Sequence, residues 1–157
     1  FVRGILVLRY SILALMLPKW GMVMEWLEGL ETGIDLIDRQ HQELFRQADS
    51  LWNSANPERV PETLRFLENY IKTHFQDEEN LMLQVAYPQY QAHQQHHKMY
   101  VKSLRELVGR YAAEGHKLST TLAVSNHLAG WLRDHIMVHD MAFAQYYRTK
   151  QTESPQA

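Results

Sequence analysis

Cysteine is absent from this chain of 157 residues, and its absence excludes disulfides, thiolate zinc fingers, iron–sulfur clusters and cysteine nucleophiles. Any metal ion must therefore be bound by nitrogen and oxygen atoms. The composition, 45% hydrophobic and 22% charged, is that of a globular protein. It argues against disorder, collagen-like repeats and a polytopic membrane protein. The length fits one domain with a packed core.

An excess of charge of one sign is also missing. The chain has 16 Lys and Arg against 18 Asp and Glu, a formal charge of −2, and contains no block of like charge. Electrostatic capture of DNA or RNA depends on a basic surface. We therefore expect no nucleic-acid partner.

No hydrophobic run is long enough to span a bilayer, which takes roughly 20 residues. The longest run extends from Ile5 to Leu17 and is interrupted at Arg9. Basic residues would suit a signal peptide, but no clear small-x-small cleavage site follows. An extension of uncertain role ahead of the domain is the alternative, so export or anchoring by residues 1–23 stays open. Otherwise we expect a cytoplasmic monomer.

Four later stretches have the apolar period of amphipathic helices. The predicted helices are 36–55, a second from about Pro61 to Tyr87-Pro88, a third from Pro88 to about Glu114-Gly115, and a fourth that starts with a Ser119 or Thr120 cap and fades past Tyr147. No alternating strand pattern competes with them. Short connections favour antiparallel neighbours. The predicted fold is all-α, an up-down-up-down four-helix bundle over residues 24–147, with an N-terminal arm and a polar tail at 148–157.

Histidine is abundant, with 9 residues, and several lie on the apolar faces of these helices. Positions four apart share a helix face. By this spacing the inward-facing polar residues are His41 on the first helix, His74 and Glu78 on the second, His93 and His97 on the third, and His135 on the fourth, with Asp140 following. The remaining histidines, His96, His116, His127 and His139, are predicted at the surface.

Burying so many polar groups without partners would cost several kcal/mol each, more than a domain with a net stability of roughly 5 to 15 kcal/mol tolerates. Hydrogen-bonded core histidines are the alternative for any one residue, but convergence from four helices favours a metal centre. The donors outnumber the ligands of one ion, so two ions are implied. Sulfur-free, nitrogen-rich ligation suits iron, copper, nickel or zinc. With two six-coordinate irons and an oxo bridge, one position stays open for a small ligand.

Asp140 follows His135 by five residues, which places the two side chains about 140 degrees apart on a regular helix. Both can face one centre only if the helix is locally widened. The spacing therefore predicts a π-bulge, or a looser final turn, between His135 and Asp140.

The pattern resembles the hemerythrins, in particular the single-domain bacterial hemerythrins, over roughly residues 24–147. The matching segments are Gly33-Ile34-Asp35 through His41, His74-Phe75 with Glu78-Glu79 and Leu81-Met82, Tyr87-Pro88, His93 with His97, and Trp131-Leu132 with His135-Ile136 and Asp140. These segments supply every ligand type of the family, in order, on four helices.

The resemblance implies two iron ions joined by an oxo or hydroxo bridge. In the family pattern, His93, His97 and His135 bind one iron and His41 and His74 the other, while Glu78 and Asp140 bridge the pair. Dioxygen would bind at the open position of the second iron. The resemblance also places Leu132 beside that oxygen pocket, although its spacing alone fits an ordinary core leucine equally well.

The function implied is reversible dioxygen binding for storage, delivery or sensing, without catalysis. No Glu-x-x-His motif of the oxidising di-iron bundles occurs in the chain. Neutral imidazoles compensate the charge of high-valent iron less than carboxylates do, which favours binding over oxidation. A di-iron enzyme that handles peroxide or nitric oxide is the alternative, and a sensory module is another.

Overall fold

The computed structural model describes residue 26 and residues 29–52, 60–114 and 117–153. Its helices are α1 (Asp35–Trp52), α2 (Val60–Gln84), α3 (Tyr90–Glu114), α4 (Leu118–His135) and α5 (Met141–Glu153), and a π-helical turn, Ile136–Asp140, joins α4 to α5. No strand occurs in these ranges. The predicted N-terminal arm, the histidine at position 116 and the end of the first predicted helix lie outside the described residues.

Each helix packs on its two neighbours in the ring. The α1 helix contacts α2 and α4, and α3 likewise contacts α2 and α4. This arrangement is a four-helix bundle in which α4, the π turn and α5 together form the fourth member. The predicted all-α bundle is confirmed.

Two apolar clusters show the direction of each helix. The larger contains Leu44, Ile71, Tyr100 and Leu132 among its members, and the smaller contains Ile37, Met82 and Phe143. Along α1 and α3 the chain runs from the smaller cluster to the larger, and along α2 and the fourth helix it runs back. The helices therefore alternate up and down. Between the two clusters lies a layer of buried polar residues, here called the polar layer: His41, His74, Glu78, His93, His97, His135 and Asp140.

The first helix is preceded by a tight loop that Asp38 holds in place. The Asp38 carboxylate accepts hydrogen bonds from the backbone N–H and hydroxyl of Thr32, both at 2.7 Å, and from the N–H of Gly33 at 2.9 Å. Gly33 has a φ of 77°, a conformation that costs glycine little. Arg148 donates to the carbonyl oxygen of Thr32, so the last helix also contacts this loop.

Two predicted boundaries differ from the structure. The fourth helix begins at Leu118 with Lys117 at the N-cap and no side-chain cap, so the predicted Ser119 or Thr120 cap is wrong. The hydroxyl of Thr121 instead donates to the Lys117 carbonyl at 3.2 Å. The helix also continues to Glu153, past the predicted end near Tyr147, because Phe143 and Ala144 bury its inner face in the smaller cluster.

Candidate metal centre

The polar layer brings together side chains from α2, α3, α4 and the π turn. One potential ligand atom from each of five buried residues lies within 4.8 Å of all the others, and these residues are Glu78, His93, His97, His135 and Asp140. Four of them, Glu78, His93, His97 and His135, were predicted by helical spacing to face inward, and Asp140 was predicted to do so only if the helix is widened. No other group of this kind occurs in the described part of the chain.

The three histidines of this group point their Nε2 atoms at one another. His135 Nε2 lies 3.1 Å from His93 Nε2 and 3.0 Å from His97 Nε2. Two ligands at right angles on one ion, each about 2.1 Å from it, would be separated by about 3.0 Å. The spacing therefore fits three imidazoles that share a single ion.

Asp140 faces two sides of the layer with its two oxygens. Its Oδ1 lies 3.0 Å from His135 Nε2 and 3.2 Å from His93 Nε2, while its Oδ2 lies 3.2 Å from His41 Nε2. The His41 ring is 4.7 Å from that of His74. His41 and His74 thus lie beside the group of five, on the side that Oδ2 faces.

The π turn is what directs Asp140 inward. The backbone N–H of Met141 bonds to the carbonyl of Ile136, a separation of five residues, and Asp140 is fully buried. A π turn holds more residues than an α turn, which brings positions five apart onto one face. The widened helix predicted between His135 and Asp140 is confirmed.

Several buried polar atoms in this layer make no hydrogen bond of good geometry, although each carboxylate has an oxygen within 3.4 Å of a histidine Nε2. They are both ring nitrogens of His41, Nε2 of His74, and all four carboxylate oxygens of Glu78 and Asp140. Leaving such atoms unpaired costs about 1–3 kcal/mol each, and more when they are charged. Nitrogen and carboxylate oxygen that converge without partners form the donor set of a transition-metal site, so a bound metal fits these residues.

The charges in the layer shift the pKa values of its members. Burial raises the pKa of Glu78, but the neighbouring His93 and His97 outweigh it and bring the value to about 2. Burial lowers the pKa of His93, yet the nearby Asp140 and Glu78 carboxylates raise it to about 9. Burial and then His41 lower the pKa of His74 to about 3. These shifts favour the ionised form of both carboxylates and the protonated form of His93 while no metal is bound.

Two of these histidines are held from behind by residues for which the sequence predicted no role, although both lie in segments that match the family pattern. His74 Nδ1 lies 3.0 Å from Gln40 Oε1, and His97 Nδ1 lies 2.9 Å from Glu79 Oε1. Gln40 lies on the apolar stripe of its helix, three residues after Ile37, so periodicity could have indicated it. No helical spacing indicates the contact of Glu79, because its partner belongs to another helix, and only the match to the family pattern named this residue.

Aromatic rings cover the histidines of the polar layer on the side that faces the larger apolar cluster. Phe75 stacks on His97 with centroids 3.8 Å apart, and Trp131 stacks on His135 at 4.3 Å. Both line a small apolar cavity of about 10 Å³, together with Leu132, and this volume is at the lower bound for one water molecule. Leu132 is buried in the larger cluster one turn before His135.

The other histidines follow the prediction in part. His96 is exposed, as predicted. His127 is half-buried, because Tyr100 stacks on it and Ser103 bonds to its Nε2 at 3.0 Å, and His139 is half-buried against the rings of His96 and His135. Burial and then His135 lower the pKa of His139 to about 4. His127 and His139 are therefore only partly exposed, and the surface prediction holds for them in part.

We expect the metal-free protein to be most stable near pH 6.5. The raised pKa of His93 contributes stability that is complete below 6.5 and is lost as pH rises through about 9. The lowered pKa of Glu78 contributes stability that is complete above pH 4.5 and is lost as pH falls through about 2. The lowered pKa of His74 costs stability as pH falls from 6.5 to about 3, because the unfolded chain takes up a proton there and the folded chain does not. Urea unfolding of chelator-treated protein from pH 4 to 9 measures this dependence.

The metal-loaded protein serves as the comparison for this pH series. Its ligand nitrogens are already deprotonated, so the loss of stability between pH 6.5 and 9 should disappear. A metal-free protein whose free energy of unfolding rises steadily from pH 6.5 to 9 would contradict the charge arrangement described above.

No helix in the described ranges is both long and apolar enough to cross a membrane.

Residues 32–147 match the family model described as the hemerythrin HHE cation binding domain. A solved structure of a leucine-to-phenylalanine mutant of another protein has the same fold, with a TM-score of 0.70, 21% identity, and coverage of 80% of this chain and 98% of that chain.

Curated relatives agree with the family model. The chain is 32% identical over 125 residues to a bacteriohemerythrin of Stenotrophomonas maltophilia, covering 78% of this chain and 80% of the relative. It is 28% identical over 131 residues to a bacteriohemerythrin of Pseudomonas aeruginosa, covering 82% and 84%. It is 29% identical over 106 residues to a myohemerythrin of Theromyzon tessulatum, covering 68% and 85%. The family model covers residues 32–147, a range that includes the residues of the centre, and this match shows that the chain belongs to the hemerythrin family.

Proposed function

We propose that this chain binds dioxygen reversibly at a non-haem di-iron centre, in storage, delivery or sensing. Oxygen binding at such a centre is the activity that its membership in the hemerythrin family supports. The observation that carries the proposal is the orientation of Asp140, whose two oxygens face His41 on one side and His93 and His135 on the other. A carboxylate in that position can bridge two ions.

The proposed ligands divide into two sets. His93, His97 and His135 would hold one iron through Nε2, His41 and His74 would hold the other, and Glu78 and Asp140 would bridge them. Both carboxylates are fully buried with oxygens that lack hydrogen-bond partners, which supports this division. Ferrous iron bound by these residues, with an oxo or hydroxo bridge, would supply the electrons that dioxygen accepts.

The chain's own residues keep this layer dry and position its donors. Apolar clusters lie on both sides of it, and Phe75 and Trp131 stack on the outer faces of His97 and His135. The small cavity beside these rings is apolar, and apolar cavities admit small apolar ligands without binding water. Leu132 lines this cavity, and we assign it the role of limiting access to the open metal position.

The metal content of the purified protein tests this proposal directly. Elemental analysis after expression in iron-rich medium should give two irons per chain, because the donors exceed what one ion uses. The absorption spectrum should change on reduction and return on exposure to air. One metal per chain, or zinc after iron-replete expression, would contradict the di-iron assignment.

Membership in this family points to an oxygen-binding protein, and the absence of catalysis is part of our proposal. Turnover assays with peroxide and nitric oxide separate a carrier from a di-iron enzyme. A carrier should autoxidise slowly and consume little of either substrate, whereas sustained turnover would favour the enzyme. The monomeric state and the cytoplasmic location stay predictions.

A further inference from the structure

Two metal-facing histidines are held from behind by acceptors of different charge. His74 Nδ1 lies 3.0 Å from the amide oxygen of Gln40, and His97 Nδ1 lies 2.9 Å from a carboxylate oxygen of Glu79. An acceptor at Nδ1 places the ring proton there and leaves the Nε2 lone pair for a metal. His74 Nε2 is buried without a partner, and His97 Nε2 faces Glu78 at 3.2 Å.

Each acceptor is itself held in place by a further residue. The amide nitrogen of Gln40 donates to Asp77 at 2.7 Å, which turns the amide oxygen toward His74. The second oxygen of Glu79 accepts a hydrogen bond from Gln94 at 2.8 Å. A carboxylate is therefore in direct contact with His97, whereas behind His74 a neutral amide separates the ring from the nearest carboxylate.

The difference in charge between the two acceptors changes how strongly the Nε2 atom of each ring binds a metal ion. A hydrogen bond to an ionised acceptor is roughly twice as strong as one between neutral groups. It draws the Nδ1 proton away from the ring and makes Nε2 a better donor to a metal. His97 should therefore bind its ion more strongly than His74 does, independently of the number of histidines on each side.

We propose that Glu79 and Gln40 are positioning residues that make the two metal positions unequal, so that the ion held by His41 and His74 binds more weakly and is released first. The inference rests on the di-iron centre proposed above. The larger number of histidines around the other position favours the same order, so a test must alter the outer residues and leave every ligand in place.

The test is the double variant Gln40→Glu with Asp77→Asn, which exchanges the amide and the carboxylate behind His74 without changing the net charge. Ferrous protein is titrated anaerobically with a competing chelator. The wild type should lose its two ions in two steps. In the double variant the affinity for the more weakly bound ion should rise by about 10- to 100-fold, the range over which hydrogen-bond partners of metal ligands change metal affinity.

Glu79→Gln is the complementary variant, and it should lower the affinity for the more tightly bound ion by a similar factor. Glu68→Gln is its matched control, because Glu68 lies on the same helix but pairs with Lys72 at the surface. It removes the same charge without touching a histidine and should leave both steps unchanged. Glu79→Asp keeps the carboxylate and should restore part of the lost affinity.

NMR of the zinc-loaded protein supplies a readout that is independent of oxygen binding. The Nδ1–H resonance of His97 should move in Glu79→Gln and that of His74 in the double variant, each without the other. If Glu79→Gln fails to fold, the double variant decides the question alone. Unchanged steps in the double variant, with two irons still bound, would overturn the inference and leave the proposed function standing. A wild type that binds a single iron would overturn the function itself.

Discussion

Replacing His74 by alanine should remove at least one iron per chain and lower the free energy of unfolding of the loaded protein by about 3 kcal/mol or more. His74 is fully buried in the polar layer, where it contacts the ring of His41 and bonds to Gln40. Its loss leaves a ligand position empty and the amide oxygen of Gln40 without its partner. Bound metal also contributes to folding free energy, and that contribution is lost with the ion.

His96→Ala is the matched control for this variant. His96 is an exposed histidine on α3, adjacent in sequence to His97, and its ring contacts His139. Iron content and melting temperature of this control should equal those of the wild type. A His74→Ala protein that keeps both wild-type values would contradict the assignment of His74 as a ligand.

Leu132→Ala should retain two irons but autoxidise faster than the wild type. Leu132 is buried one turn before His135 and lines the apolar cavity behind the histidine layer. A shorter side chain would admit water and anions to the metal site, which would favour loss of the bound oxygen as peroxide, with the two electrons kept by peroxide and the iron left ferric. The truncation should also destabilise the protein by roughly 2–5 kcal/mol. The rate of loss of the oxygenated spectrum measures the first effect, and urea unfolding measures the second.

Leu64→Ala separates access from stability in this experiment. Leu64 is a buried leucine of the same apolar cluster, on α2 and ten residues before His74. Leu64→Ala should lower the free energy of unfolding by a similar amount and leave the autoxidation rate unchanged. If both variants are destabilised and both autoxidise at the wild-type rate, Leu132 is only a core residue.

Periodicity and chemistry in the sequence were sufficient to predict the bundle and the direction in which its polar residues face. His41, His74, His93, His97 and His135 each lie four or seven residues from apolar neighbours, and all of them are buried. The spacing of His135 and Asp140 predicted even the widened turn, because five residues do not return to one face of an α-helix. These are properties of one helix at a time, which local sequence determines.

Only the tertiary structure decided which atoms meet across helices. The two directions of the Asp140 carboxylate, the contact of Glu79 with His97 and the amide of Gln40 behind His74 depend on how far each helix is rotated and shifted relative to its neighbours. The half-burial of His139 has the same origin, since a ring from α3 covers it. A helical period specifies the face that a residue occupies, but the packing of side chains between helices sets rotation and axial shift, and no single segment carries that information.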